Sequence, residues 1–142
     1  MTVPRAGLLL VDDDTNYPFL MRQAFLKEGW EGSLEVAADS RLAQSYLEDC
    51  ANPLPRLILC DLRLPGMSGL ELLAWVRAQQ RLRLLPMVMH SWVTNEDDLL
   101  RAYDLGANAF VQKPMSFENL RGLVRTLVTY WLVFNQPAEQ TA

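Results

Sequence analysis

Residues 57–69 read Leu-Ile-Leu-Cys-Asp-Leu-Arg-Leu-Pro-Gly-Met-Ser-Gly. Four consecutive apolar side chains leave no polar face, so a strand here must be covered on both sides, as in a parallel sheet between two layers of helices. The run stops at one carboxylate, Asp61, and a Pro-Gly turn follows. In sheets of this kind the C-terminal strand ends form a single rim where ligands bind. Asp61 is therefore expected at a functional mouth.

The rest of the chain repeats that alternation of short apolar run and helical pattern, the sign of a sheet with crossover helices. Gly7 to Val11 reads as the first strand and Asp12 to Asn16 as its exit loop. Thr15 or Asn16 can cap the following helix, whose apolar face is Tyr17, Leu20, Met21, Ala24 and Phe25, and Gly29 closes it. Leu34 to Ala37 fits a second strand, and Asp39 to about Asp49 a second helix with Leu42, Tyr46 and Leu47 inward. After the third strand, Leu70, Leu73 and Ala74 mark a third helix, and Met87 to His90 a fourth strand. Thr94 begins a capping-box-like start, with Asp97 in the Glu/Gln place, for a helix carrying Leu99, Leu100 and Tyr103 to Gly106. Ala109 to Gln112 is a fifth strand. Ser116 caps a long last helix, about 116–134, with Phe117, Leu120, Leu123, Val124, Leu127, Val128 and Trp131 at helical spacing. The expected fold is α/β: a doubly wound (βα)5, flavodoxin-like parallel sheet of order 2-1-3-4-5, filling 1–136 with a tail at 137–142.

Composition excludes several functions. A chain of 142 residues, half hydrophobic and 21% charged, can bury one core. Its net charge of −4 and the lack of a Lys/Arg cluster argue against direct nucleic-acid binding. Cys50 and Cys60 have no zinc or C-x-x-C spacing, so reduced thiols in a cytoplasmic protein are expected. Leu8 to Val11 is too short for a signal peptide, and no stretch reaches membrane-spanning length.

Polar residues collect at the strand ends: Asp12, Asp13 and Asp14 after the first, Asp61 after the third, Ser91 after the fourth, Lys113 after the fifth. In the order 2-1-3-4-5 the first and third strands are neighbours, so the acidic pair and Asp61 share a pocket. Crowded carboxylates repel, and a hard divalent cation with oxygen ligands, Mg²⁺, relieves them. With Lys113 beside them the pocket suits a phosphoryl group, Asp61 acting as nucleophile while Ser91 and Lys113 hydrogen-bond its oxygens. His90 and Cys60 read as packing residues, since no second ligand cluster supports a metal there.

VDDD at 11–14, LILCDLRLPGMSGLELL at 57–73, Ser91 and Lys113-Pro114, in this order, resemble the receiver domain of two-component response regulators. The resemblance implies Asp61 as the phosphoacceptor and Asp12, Asp13, Asp61 and the backbone carbonyl of Arg63 as Mg²⁺ ligands. It further implies Ser91 as a switch hydroxyl, Phe110 as a switch aromatic, and Lys113 as the phosphoryl-binding lysine. The activity implied is no more than self-catalysed phosphotransfer and autodephosphorylation, with a sensor histidine kinase as partner and output through the fourth helix, fifth strand and fifth helix. Asn95-Glu-Asp-Asp, Tyr103, Tyr130-Trp-Leu and Pro137 resemble the small regulators paired with bacterial phytochrome histidine kinases, which implies a homodimer through that face or the C-terminal extension. Tyr130 to Phe134, five apolar residues in succession, independently calls for a partner surface; Tyr130, Trp131, Leu132 and Phe134 are its candidates. Trp92 departs from the family, which keeps a small residue there, and Arg63 and Val93 stand where the family tunes hydrolysis.

Two rival readings remain. A haloacid-dehalogenase-type phosphatase also uses aspartates after its first strand but wants Thr or Val where this chain has Asn16. A degenerate receiver would serve as an unphosphorylated interaction module. With about ten residues beyond the last helix, a DNA-binding output is not expected, and a phosphate sink or relay remains an alternative.

Overall fold

The computed structural model describes residues 6–138. Five strands, β1 (Ala6–Val11), β2 (Leu34–Ala37), β3 (Pro55–Asp61), β4 (Met87–Ser91) and β5 (Ala109–Gln112), form one parallel sheet of order β2-β1-β3-β4-β5. The helices between and after them are α1 (Asn16–Lys27), α2 (Ser40–Glu48), α3 (Gly69–Ala78), α4 (Glu96–Asp104) and α5 (Phe117–Leu127). Alternation along the strands splits the core in two. Leu8, Leu10, Leu57 and Leu59 face α1 and α5, where Met21, Phe25, Leu120 and Val124 meet them. Leu9, Val11, Ile58 and Cys60 face the other layer, against Leu47, Leu72, Leu73 and Val76. Burial on both faces is why these strands read as unbroken apolar runs.

Local chemistry fixes the helix starts. Asp39 accepts from Leu42 N, Ser68 from Glu71 N and Ser116 from Asn119 N, each satisfying a donor that the first turn leaves unpaired. α1 differs from expectation: neither Thr15 nor Asn16 caps it. Asp14 Oδ1 accepts from the backbone N–H of Asn16 at 2.8 Å and of Tyr17 at 3.4 Å. α4 is capped by Asn95 rather than Thr94, its side chain accepting from Asp98 N at 2.8 Å. This moves the helix start by one residue; within the helix the small Ala102 is buried, and Leu100 and Tyr103 are exposed. Leu20, Leu42 and Ala74 also lie outside the core; in α2 the inward pair is Ala43 and Leu47, one turn apart.

The last helix departs most. After Leu127 the chain widens into a π-helical segment, Val128–Phe134, in which Asn135 N donates to Tyr130 O, five residues back. In an α-helix the residue one turn after Leu127 is Trp131; in the wider turn Leu132 takes the inward place. Leu132 is buried against the β1/β3 face, and Trp131 is half-buried. Leu132 is thus core, and Tyr130, Val133 and Phe134 are the exposed members of the apolar run. Part of the expected tail, 139–142, lies outside the described residues.

Candidate functional site

The register that pairs β1 with β3 sets Val11 beside Cys60, so the next residues, Asp12 and Asp61, leave neighbouring strands together. Asp13 joins them: one carboxylate oxygen from each of the three lies within 4.8 Å of the others. Asp12 is 1% exposed and Asp61 8%, whereas Asp13 is open to solvent. Asp12 Oδ1 accepts from Asp14 N at 2.9 Å and Asp61 Oδ1 from Arg63 N at 3.1 Å, which orients both carboxylates. Gly69, the first residue of α3, packs on the carbonyl of Asp61 so tightly that a Cβ would stand 2.0 Å from its oxygen.

Lys113 follows β5, its backbone N–H bonded to Ser91 O at 2.8 Å. Its side chain is fully buried, and Nζ reaches Asp12 Oδ2 at 2.8 Å and Asp61 Oδ2 at 2.9 Å. Burial pushes the Asp12 carboxyl above its usual range, against the pull of Lys113 and the Asp14 N–H. Burial alone would lower the Lys113 ammonium, but its bonds to Asp12 and Asp61 and their charges outweigh that and raise it. The lysine therefore stays protonated. Three carboxylates against one ammonium leave two formal negative charges, and an all-oxygen donor set with that deficit fits a hard divalent ion.

Asp13, Asp61 and Lys113 line a cleft of about 290 Å³ together with Asp14, Arg63, Ser91, Trp92 and Val93. Ser91 is buried at the end of β4 and its hydroxyl donates to Val93 O at 3.0 Å, closing a short turn in the β4–α4 loop. Phe110 is half-buried in β5 against the α2–α4 layer, away from the carboxylates. Arg63 lines the cleft, and its guanidinium pairs with Asp98 Oδ2 at 2.9 Å on α4. Tyr130, Trp131, Leu132 and Phe134 belong to the π-helical segment, outside this cleft.

The sequence placed Tyr17 on the buried face of α1 and His90 in the packing, but not the bond between them. Tyr17 OH bonds His90 Nε2 at 2.5 Å, and His90 Nδ1 lies 3.0 Å from Val111 O. A carbonyl only accepts, so Nδ1 carries the proton and Nε2 accepts from the tyrosine. The signal was available: a tyrosine on a buried helix face needs a partner for its hydroxyl, and the chain has one histidine. Burial lowers His90 to about 4, with the Val111 bond and Asp61 opposing and Lys113 assisting.

His90 is depressed in the fold from 6.5, so between about 6.5 and 4 the unfolded chain binds more protons and stability falls as pH drops. The full loss below that window is about 3 kcal/mol, partly offset by Asp12, whose raised carboxyl gains stability on protonation. Urea unfolding at several pH values should show this slope for the wild type, and His90→Gln should flatten it.

Comparison with known proteins agrees with this geometry. Residues 8–125 match the family model described as the response regulator receiver domain. The probable methanogenesis regulatory protein FilR2 of Methanothrix harundinacea is 39% identical, covering 91% of this chain and 85% of that protein. Response regulator Rcp1 of Synechocystis sp. is 29% identical over 91% of this chain and 90% of that protein. A crystal structure of the Mn(2+)-bound form of Rcp1 matches with a TM-score of 0.83 and 28% identity, over 95% of this chain and 99% of that one. The phosphorylated cyanobacterial phytochrome response regulator RcpA matches with a TM-score of 0.86 and 28% identity, over 96% and 100%. The sheet order, the acidic cluster and these matches agree: the chain belongs to the response regulator receiver domain family.

Proposed function

We propose that this receiver takes a phosphoryl group from a sensor histidine kinase onto Asp61, with Mg²⁺ held by Asp12, Asp13, Asp61 and the backbone carbonyl of Arg63. The observation that carries the reading is Lys113 Nζ lodged between Asp12 and Asp61 beside the open Asp13. An Asp61 oxygen forms the new bond to phosphorus as the P–N bond to the kinase histidine breaks. Lys113 then has a phosphoryl oxygen to bind in place of a carboxylate, and the divalent ion supplies charge neutralisation.

The switch follows from a competition for one hydroxyl. Ser91 Oγ donates to the neutral Val93 carbonyl before transfer. A phosphoryl dianion is the stronger acceptor, so Ser91 turns inward, the β4–α4 loop rearranges, and Phe110 moves into the space vacated. The altered face is α4, β5 and α5, which an acidic protein offers to another protein rather than to DNA. Among the described residues no helix is long and apolar enough to cross a membrane, and a cytoplasmic setting suits a histidine-kinase partner.

Exposed Tyr130, Val133 and Phe134 support a homodimer through the C-terminal extension, with Leu100 and Tyr103 adding exposed apolar surface on α4. The likeness to RcpA supports a phytochrome-type kinase as the phosphodonor. Two experiments test these parts. A phosphorylated histidine kinase of the phytochrome type should pass its label to the wild type and not to Asp61→Asn. Size-exclusion chromatography with light scattering should give a dimer that Phe134→Ser weakens; a monomer at all micromolar concentrations would rule the dimer out.

A further inference from the structure

We propose that Trp92 is a fixed cover on the phosphoacceptor cleft and sets how long a phosphoryl group survives there; this rests on Asp61 being the acceptor. Trp92 is the first residue after β4 and lines the same cleft as Asp61. It is 42% exposed, yet its ring is held in place. The indole meets Tyr17 edge-on, with centroids 5.6 Å apart, and lies 5.2 Å from Lys113 Nζ. Tyr17 stands on the same ammonium at 4.7 Å. Two adjoining rings therefore share one buried cation, an attraction that strengthens as water is excluded.

The seat under Trp92 is rigid. Tyr17 is 3% exposed, and its hydroxyl is tied to His90, which is tied in turn to the Val111 carbonyl of β5. The Trp92 backbone is fastened as well, its carbonyl accepting from Gln112 Nε2 at 3.1 Å. Across the cleft, Arg63 is drawn to Asp98 on α4. The indole is thus the large apolar wall of the cleft mouth.

Loss of the phosphoryl group requires a water oxygen to bond phosphorus opposite the Asp61 oxygen while the Asp61 O–P bond breaks. Inorganic phosphate leaves, the carboxylate is restored, and the water proton must be accepted. The indole offers one N–H donor and no acceptor, so it can neither orient that water nor take its proton. Its area keeps water from the line of attack. Small phosphodonors approach along the same line, so the cover slows loading and loss together.

The test uses the full chain. Wild type, Trp92→Ala and Trp92→Phe are loaded with acetyl phosphate and Mg²⁺, desalted, and followed by intact mass as the phosphorylated species decays. Trp92→Ala should load faster and lose its phosphoryl group about tenfold faster. Trp92→Phe should fall between the two, and melting temperatures should stay close to wild type because the ring is partly exposed. Equal or slower decay in Trp92→Ala overturns the proposal while leaving Asp61 as acceptor. A wild type that takes up no phosphoryl group overturns both.

Discussion

Gly69→Ala is expected to destabilise the protein by about 3 kcal/mol and to slow phosphorylation of Asp61, because the added methyl has nowhere to go. Its Cβ would stand 2.0 Å from Asp61 O and 3.0 Å from both Asp61 C and Leu62 Cα. These are backbone atoms, and no rotamer change clears them. Relief requires α3 to lift from the end of β3, breaking the Gly69 N–H bond to Leu62 O, and it displaces Asp61, the proposed phosphoacceptor. Gly122→Ala is the matched control. That glycine lies inside α5 with nothing within 4 Å of its added methyl, so the change should stabilise by about 0.5–1 kcal/mol. Urea unfolding of the two variants separates them by sign.

Lys113→Met removes the ammonium that faces Asp12 and Asp61. In metal-free buffer at neutral pH the expected cost is about 3–5 kcal/mol, since two largely buried carboxylates are left facing each other. The loss should be smaller in the double variant Asp12→Asn/Lys113→Met, because the repulsion that remains is weaker. Added Mg²⁺ should raise the melting temperature of Lys113→Met more than that of wild type, the cation now doing alone what it otherwise shares with the lysine. Thermal melts with EDTA and with Mg²⁺ measure both differences; equal shifts in the two proteins would show that Lys113 does not offset the carboxylates.

Much of this was legible in the sequence because the sheet is covered on both faces. Leu57 to Cys60 between turn residues reads as a buried strand, and such runs mark the five strands, while their order was expected from the doubly wound topology rather than from the runs. The site was legible for the same reason: Asp12, Asp61, Ser91 and Lys113 interrupt or end apolar runs, and the topology brings those ends to one rim. Helix faces were harder. In α4 the small Ala102 is the buried residue while Leu100 and Tyr103 are exposed, and periodicity alone does not fix which residues face the core. The π-helical turn was invisible to a search for helical spacing, since it replaces the step of four from Leu127 by a step of five, to Leu132. The Tyr17–His90 contact joins residues 73 apart in the chain and depended on which face of α1 meets β4.

The central claim is that Asp61 accepts a phosphoryl group in a pocket made by Asp12, Asp13 and Lys113. Intact mass spectrometry after incubation with acetyl phosphate tests it directly. With Mg²⁺ the wild type should gain one phosphoryl mass, lose that gain in EDTA, and show none in Asp61→Asn. An Asp61→Asn protein that gains the same mass, or a wild type that gains nothing in Mg²⁺, would contradict the account.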